Sequence, residues 1–452
     1  MAEALLDYRA LDGPLQGLQD APGWYVGFSG GVDSTVLLHL MQRWCKANLD
    51  SPALSAVHIN HRMQPAANEW QLHCEWLCKF LQIPIISRHV DVQPQGRGSE
   101  AAARAARYRI FEEQLGRGDI LFLAHHLDDQ VETFFLRLMR GAGVHGLAAI
   151  PDRRPLGEGE LVRPLLHVGR GELESYAQHH GLECVADPSN SDSAMDRNFL
   201  RNDLLPRVAA RWPGYRLTVA RASEHMAGAV AALQQALPAP DSVYSVLGDP
   251  GVAIAELLEV PAEGAAVKLR AWLLGVGCLA PDQALLDEFL RQLRVAAADA
   301  NPRLACGTYS LQRFRDAVYL LPAPDAPRCA DTFTLAPGEI YEVPGVGRLG
   351  LEPAAEGFLL APGERLEVTW RQGGERCKPR GRAAGSSLKK LLQEWQVPPW
   401  WRDRVPLLCL DGELLAVGDL WACDCSRWRD KAPRGEQLWS VRWERQTAVT
   451  RP

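Results

Sequence analysis

At 452 residues the chain is longer than one ordinary core, which sets an expectation of roughly two to four domains. A hydrophobic fraction of 47% and a charged fraction of 23% exclude a disordered or fibrous chain, and no apolar run approaches the roughly 18–20 residues that span a bilayer. The net charge of −6 excludes a uniformly basic nucleic-acid binder, although nine Lys/Arg against three acids between Arg371 and Arg404 leave room for a local basic patch. The first elements alternate. Trp24 to Phe28 reads as a buried strand, and Val36, Leu37, Leu40, Met41 and Trp44 follow at helical spacing. Ala53 to Asn60 is a second strand, the stretch around Glu69 to Leu81 a second helix, Pro84 to Val92 a third strand and Ser99 to Leu115 a third helix. Asp119 to Ala124 is a fourth strand, with a helix over Gln130 to Met139. Such alternation predicts α/β architecture, a doubly wound, mostly parallel sheet with ligands outside the carboxyl ends of its strands.

Beyond about Pro213 the sequence turns helical, over Arg216 to Gln235 and Ala262 to Val295, with a strand-like stretch from Tyr309 to Leu321. Pro322, Pro324 and Pro327 mark a linker, and the remainder from Thr332 suits a small β-containing domain. The expected domains are 1–215 (catalytic), 216–325 (helical) and 326–452 (small, C-terminal). Met1 to Asp20 mixes acids with Arg9 and polar residues, unlike a secretory signal, and eleven cysteines without framework spacing fit a reduced compartment. A cytoplasmic protein off the membrane is expected.

Phe28-Ser29-Gly30-Gly31-Val32-Asp33-Ser34-Thr35 joins the first strand to the first helix. Two glycines permit positive φ and close backbone approach, so free N–H groups and the helix N-terminus form an anion cradle. A Walker A loop has Lys before its final Ser/Thr; here Asp33 stands there, and an acid facing a polyphosphate calls for Mg²⁺ between them. The alternative for this string is a plain strand–helix turn with Asp33 as a first-turn acid answering the macrodipole. Taken whole, it resembles the PP-loop ATP pyrophosphatases, which cleave ATP to AMP and pyrophosphate.

Further strings are similar to the tRNA(Ile)-lysidine synthetases within that superfamily. They are Val57-His58-Ile59-Asn60-His61, Glu100 to Tyr108, Ala124-His125-His126-Leu127-Asp128-Asp129-Gln130-Val131-Glu132-Thr133, Arg137 to Leu147, Arg163 to Leu166, Asp187 to Asn190 and Arg197 to Arg201. Arg371 to Arg376 and Leu388 to Trp401 extend the likeness toward the C-terminus. Where the family usually has Gly-Leu-Arg after the second-strand string, this chain has Arg62-Met63-Gln64, so Arg62 takes no family role. The resemblance implies that ATP adenylates the C2 carbonyl oxygen of the wobble cytidine in the isoleucine tRNA with a CAU anticodon. L-lysine then displaces AMP.

On that reading Ser29, Gly30, Gly31, Val32, Asp33 and Ser34 hold ATP, with His58, Asn60, Arg104 and Arg107 on the same edge. Asp33, Asp128 and Asp129 are catalytic, Mg²⁺ lies on Asp33 and Asp129, and one of Asp128 and Asp129 receives a proton from the lysine amine. Each group has a plainer alternative. His58 and His61 are half a zinc set or strand-end contacts, Asp128 and Asp129 an acidic helix start, and Arg104 and Arg107 a solvated stripe. Arg376, Lys378, Arg380, Lys389 and Lys390 are expected to meet the tRNA, while Trp395, Trp400 and Trp401 either stack on bases or form small-domain core. No obligate protein partner is implied. A tRNA thiolase of the same superfamily is the rival, and the absence of any Cys-x-x-Cys speaks against it.

Overall fold

The computed structural model describes residues 6–61, 66–90, 99–185, 196–278, 280–297, 300–322 and 331–446. The chain divides into two compact units, Met1–Ala232 and Leu233–Pro452.

Unit one is built on a six-stranded sheet. Its strands are β1 (Trp24–Gly27), β2 (Leu54–Asn60), β3 (Ile85–His89), β4 (Ile120–Phe122), β5 (Arg153–Leu156) and β6 (Gly159–Val162), in the order β3-β2-β1-β4-β6-β5. All pairings are parallel except β5 with β6. The central strands are apolar because both faces are covered: Trp24, Val26, Leu121 and Phe122 are wholly buried. Trp24 meets Phe122 edge-on at 5.4 Å and Trp44 at 5.5 Å, which fastens the sheet to the first long helix. Burying such side chains contributes roughly 1.5–3 kcal/mol each. Its helices include α1 (Val32–Ala47), α2 (Ala67–Leu81), α3 (Ser99–Gln114), α4 (Leu127–Met139), α5 (Arg170–His179), α6 (Asp196–Phe199), α7 (Leu205–Arg211) and α8 (Tyr215–Ala236), besides single turns at Asp12–Leu15 and Val144–Leu147; a π-turn over Leu200–Leu204 joins α6 to α7. Strand order reverses at β1 and β4, so the loops leaving their carboxyl ends lie side by side. The β5 edge carries Pro155 opposite Glu160, and the far edge carries Arg88 and His89.

Unit two begins with the sheet β7-β8-β11-β10-β9. Its strands are β7 (Ser242–Tyr244), β8 (Pro250–Ala253), β9 (Arg303–Ala305), β10 (Tyr309–Phe314) and β11 (Ala317–Pro322). Helices α9 (Ala262–Gly275) and α10 (Gln283–Val295) bury Leu269, Trp272, Phe289 and Leu290 against Leu311 and Val318 of that sheet. The expected helices are present, but the strand-like stretch from Tyr309 to Leu321 is two antiparallel strands of a five-stranded sheet. Strands of three or four residues such as β7, β8 and β9 are too short to show a period of two in the sequence.

Two further five-stranded sheets follow. One, ordered β12-β16-β19-β20-β21, uses β12 (Phe333–Leu335), β16 (Leu366–Thr369), β19 (Leu407–Leu410), β20 (Glu413–Val417) and β21 (Trp421–Ala422). The other, ordered β13-β14-β23-β15-β22, uses β13 (Ile340–Val343), β14 (Gly347–Ala354), β15 (Gly357–Leu359), β22 (Trp428–Arg429) and β23 (Leu438–Arg445). They share one core, in which Leu366, Val368 and Leu408 of the first meet Leu349, Phe358 and Trp443 of the second. The hairpin β17 (Arg376–Cys377) and β18 (Ser386–Ser387) leads into α11 (Leu388–Glu394). Of the linker prolines, Pro324 and Pro327 lie outside the described residues.

Candidate active site

The loop after β1 is shaped by its own hydroxyls. Ser34 Oγ accepts from the Ser29 amide at 3.2 Å, lies 3.0 Å from Ser29 Oγ and donates to the Gly31 carbonyl at 3.1 Å. Thr35 Oγ1 donates to the Gly30 carbonyl at 3.2 Å. Gly30 sits at φ +83°, and a Cβ there would lie 3.0 Å from Cys74 Sγ, so a side chain would be strained in backbone and would push Cys74 aside. Gly31 is the N-cap of α1 and offers no capping side chain, which leaves the first amides of a long helix facing the loop's concavity.

The loop after β4 delivers the acids. Helix α4 starts at Leu127, three residues before the sequence suggests, so Asp128 and Asp129 both lie in its first turn. Asp129 Oδ2 accepts from the His126 amide at 3.1 Å, a capping bond that fixes its direction. The buried ring of His126 is the hub: its Nε2 lies 3.7 Å from Asp33 Oδ2 and 3.5 Å from Asp129 Oδ2, and its Nδ1 3.9 Å from Asp128 Oδ2. These distances are too long for hydrogen bonds, so the attraction is one of charge. Burial opposes the imidazolium, but Asp33, Asp129 and Asp128 together raise the His126 pKa above its ordinary value. Its neighbour His125 behaves oppositely. Burial drives it down to about 4, with Arg163, Arg104 and Arg197 adding to the effect against the pull of Asp129.

The acids are held differently. Asp128 is fully engaged: Oδ2 accepts from the Arg170 amide at the start of α5 at 2.9 Å and Oδ1 from Arg216 Nε at 2.5 Å. Burial would raise its pKa, but the Arg170 amide and the Arg216 guanidinium hold it below the usual carboxylate range. Asp129 is pushed up by burial and brought below that range by His126, His125 and Arg197. Glu132, 1% exposed, accepts from Arg197 Nε at 2.9 Å and from Arg201 at 2.7 and 3.0 Å. Asp33 differs from all of these: Oδ1 is buried with no hydrogen-bond partner. Among the described residues no group of three or more His, Cys, Asp or Glu could hold a metal ion alone. A carboxylate with a free oxygen, flanking one imidazole nitrogen with a second carboxylate, fits Mg²⁺, which takes one or two protein carboxylates and completes its shell with phosphate and water.

The other residues singled out in the sequence are placed as follows. His58 Nδ1 donates to the Phe28 carbonyl at 2.9 Å, immediately before the glycine loop, and the Asn60 amide donates to Gln71 and Asn68 of α2 at 3.0 and 3.1 Å. His58 therefore braces the entry to the loop, while Asn60 ties the end of β2 to α2. Arg107 Nε donates to His61 Nε2 at 3.4 Å, and Arg104 lies 5.1 Å over the Tyr108 ring, with Arg154 at 4.9 Å. Of the basic stretch, Lys378 pairs with Asp424 at 2.6 Å, Arg380 with Asp430 at 2.5 Å and Lys390 with Glu394 at 4.0 Å, while Arg376 and Lys389 are exposed. Trp401 is core, and Trp395 rests on Trp421 at 4.9 Å. Arg62 to Gln64 and Asp187 to Asn190 lie outside the described residues.

The PP-loop domain family matches residues 8–208, the span that carries this constellation apart from Arg216. The TilS substrate binding domain matches 253–319 and the TilS substrate C-terminal domain 366–443. The tRNA(Ile)-lysidine synthase of Pseudomonas syringae pv. tomato is 42% identical over 92% of this chain and 94% of its own length. That of Coxiella burnetii is 38% identical over 88% and 89%, and that of Pseudomonas aeruginosa 41% over 91% and 93%. The chain belongs to the tRNA(Ile)-lysidine synthase family. As in the sequence reading, it is a PP-loop enzyme with an α/β catalytic part and a β-containing C-terminal part.

Several working groups of this family member escaped the sequence reading. His125 and His126 were visible only as part of a string; burial lowers the pKa of the first, while Asp33, Asp129 and Asp128 raise that of the second against burial. Arg197 and Arg201 stand four apart, a spacing that places both on one helical face, but nothing local says that they share Glu132. Arg216 is 88 residues from Asp128 and carries no local signal.

Proposed function

We propose that this chain ligates L-lysine to C2 of the wobble cytidine in the CAU-anticodon isoleucine tRNA, consuming ATP and releasing pyrophosphate and AMP. The loop of Ser29, Gly30, Gly31, Val32, Asp33 and Ser34 cradles the phosphates, with the Ser29 amide spent on the loop's own frame through Ser34 Oγ. His58 and Asn60 act on ATP through the frame of that loop, and Arg104 and Arg107 lie on the same edge as further phosphate contacts. Asp33 and Asp129 would hold Mg²⁺, which supplies charge neutralisation of the triphosphate. The observation that carries this reading is the buried, unpartnered Oδ1 of Asp33 at the mouth of the cradle.

A cytosine carbonyl oxygen is a poor leaving group. Attack by that oxygen on the α-phosphorus of ATP forms a C–O–P link and expels pyrophosphate. Attack by the lysine amine at C2 then breaks the C–O bond and expels AMP, with the amine's proton passing to a base. His126 sets its Nε2 between Asp33 and Asp129 and orients the two carboxylates beside the departing phosphates. Asp128 has both oxygens engaged and orients the segment, which leaves Asp129 as the acid facing the reaction. Arg376, Lys378, Arg380, Lys389 and Lys390 meet the tRNA backbone. The surface ion pairs of Lys378, Arg380 and Lys390, worth roughly 0–1 kcal/mol each, exchange readily for phosphate. The domains 1–215, 216–325 and 326–452 divide the labour between chemistry and tRNA holding in a cytoplasmic enzyme. Mass spectrometry of the tRNA after incubation with ATP, Mg²⁺ and lysine tests the whole: a lysine adduct on the wobble cytidine is expected, and unmodified tRNA with no pyrophosphate release would overturn it.

A further inference from the structure

The segment that follows α5 grips the glycine loop, and the chemistry above gives it no part. Gly181, at φ +60°, ends the helix, and the Leu182 amide returns to the Ala177 carbonyl at 2.9 Å. The chain then runs as a strap to Val185, whose amide donates to the Gly30 carbonyl at 2.9 Å. Packing seals the contact: Val185 Cγ2 lies 3.3 Å from where a Gly30 Cβ would stand. Thr35 Oγ1 donates to the same carbonyl at 3.2 Å, so two donors take up its two lone pairs. One side chain of another element holds the strap in turn: His73 Nε2, on α2, donates to the Glu183 carbonyl at 3.1 Å. At the opposite end of α5 the Arg170 amide holds Asp128, and the Val168 carbonyl accepts from the Leu127 amide at 2.9 Å. A single helix with its two flanking turns therefore ties the phosphate cradle to the acids.

The direction of the Gly30 carbonyl matters because a trans peptide is planar, so the oxygen of Gly30 and the N–H of Gly31 point in opposite directions. With the oxygen turned to Val185 and Thr35, the Gly31 amide is turned away from both. Its partner there is Ser29 Oγ at 3.4 Å, a long bond that a phosphate oxygen can take over. A peptide between two glycines otherwise has wide conformational freedom, and ordering it on binding would subtract from affinity. The clamp orders it beforehand.

We propose that His73 is a positioning residue for ATP: by holding the strap 182–185 it fixes the Gly30–Gly31 peptide with the Gly31 amide presented to the triphosphate. This rests on the reading of the loop as the ATP cradle. The test uses the full chain, with the Kd of Mg·ATP from calorimetry, separate KM values for ATP, tRNA and lysine, and hydrogen exchange of the peptide that carries Val185. His73→Ala should weaken ATP about three- to tenfold in both Kd and KM, the range of one lost hydrogen bond, and leave the KM values of tRNA and lysine within about twofold. Exchange at Val185 should quicken in the free variant and slow again when Mg·ATP saturates it. His73→Gln, whose side-chain amide can still reach the Glu183 carbonyl, should recover most of the affinity; His73→Asn, which is too short, should not, and it gives the same readout if His73→Ala does not fold. Thr35→Val removes the other donor and should weaken ATP similarly, with Thr35→Ser restoring it. The double variant His73→Ala/Thr35→Val should weaken ATP beyond the product of the single effects, because either donor alone still restrains the carbonyl. ATP affinity within twofold of wild type in His73→Ala, a Gln variant no better than Ala, equal losses for all three substrates, or a strictly multiplicative double variant would overturn the proposal. A wild type that binds no Mg·ATP overturns the cradle reading instead.

Discussion

Asp33→Asn separates fold from function because its effects on the two should diverge. The substitution keeps the shape and removes one charge. On the stability side, the lost attraction to His126 acts across 3.7 Å, which is about 4 kcal/mol at an effective dielectric of 20 and about 1 kcal/mol in water. Asp33 is 38% exposed, so the lower figure applies. Against it stands the lower cost of burying a neutral amide atom rather than a charged one at the unpartnered Oδ1 position, worth about 1–3 kcal/mol. The two nearly cancel, and the melting temperature should move by no more than about 3 °C. On the functional side, losing a metal ligand against a triphosphate should lower turnover by about 10³-fold, or about 4 kcal/mol of transition-state stabilisation. Thermal melts paired with a pyrophosphate-release assay across a Mg²⁺ titration read both. Turnover within tenfold of wild type at ordinary Mg²⁺, or a destabilisation above about 3 kcal/mol, would refute the reasoning.

Glu132→Gln leaves Arg197 and Arg201 facing a neutral amide, so urea denaturation should show a loss of about 3–5 kcal/mol. Gly30→Ala meets both a φ of +83° and Cys74 Sγ at 3.0 Å, and should raise the ATP KM at least about tenfold with about 1–3 kcal/mol of destabilisation. Arg216→Ala frees Asp128 and should lower kcat about tenfold in initial-rate assays, while Arg216→Lys recovers part of it; an unaltered Arg216→Ala would show that Asp128 is oriented without it. Burial lowers His39, His61 and His125 from 6.5 to about 4. The unfolded chain then binds more protons between those values, so stability is full above pH 6.5 and is lost as pH falls toward 4. His39→Asn keeps an acceptor for Tyr176 and should remove about 1–2 kcal/mol of that acid sensitivity in urea midpoints measured from pH 7 to 4.

What could be read from the sequence was what local periodicity and turn chemistry encode. The catalytic sheet was legible because its central strands are buried on both faces, and the glycine loop because only glycine meets its backbone demands. Asp128 and Asp129 were legible as a pair but not as unequal partners, since Arg216 and the Arg170 amide reach Asp128 from far along the chain. The β5–β6 hairpin went unread because Arg153-Arg154-Pro155-Leu156 has no strand pattern and is a strand only by pairing. The basic stretch after Arg371 looked like free charge, whereas Asp424 and Asp430, distant in sequence, already neutralise part of it.

The two borders of the catalytic sheet bear on how this protein behaves at high concentration. Proline has no amide hydrogen to offer a newcomer strand, so Pro155 interrupts the outer hydrogen-bonding row on one side. Arg88 and His89 set a polar fringe on the other. An enzyme that must keep five parallel strands open at their carboxyl ends for nucleotide thus closes its lateral margins to copies of itself, and crowding should drive it toward substrate before it drives it toward fibrils.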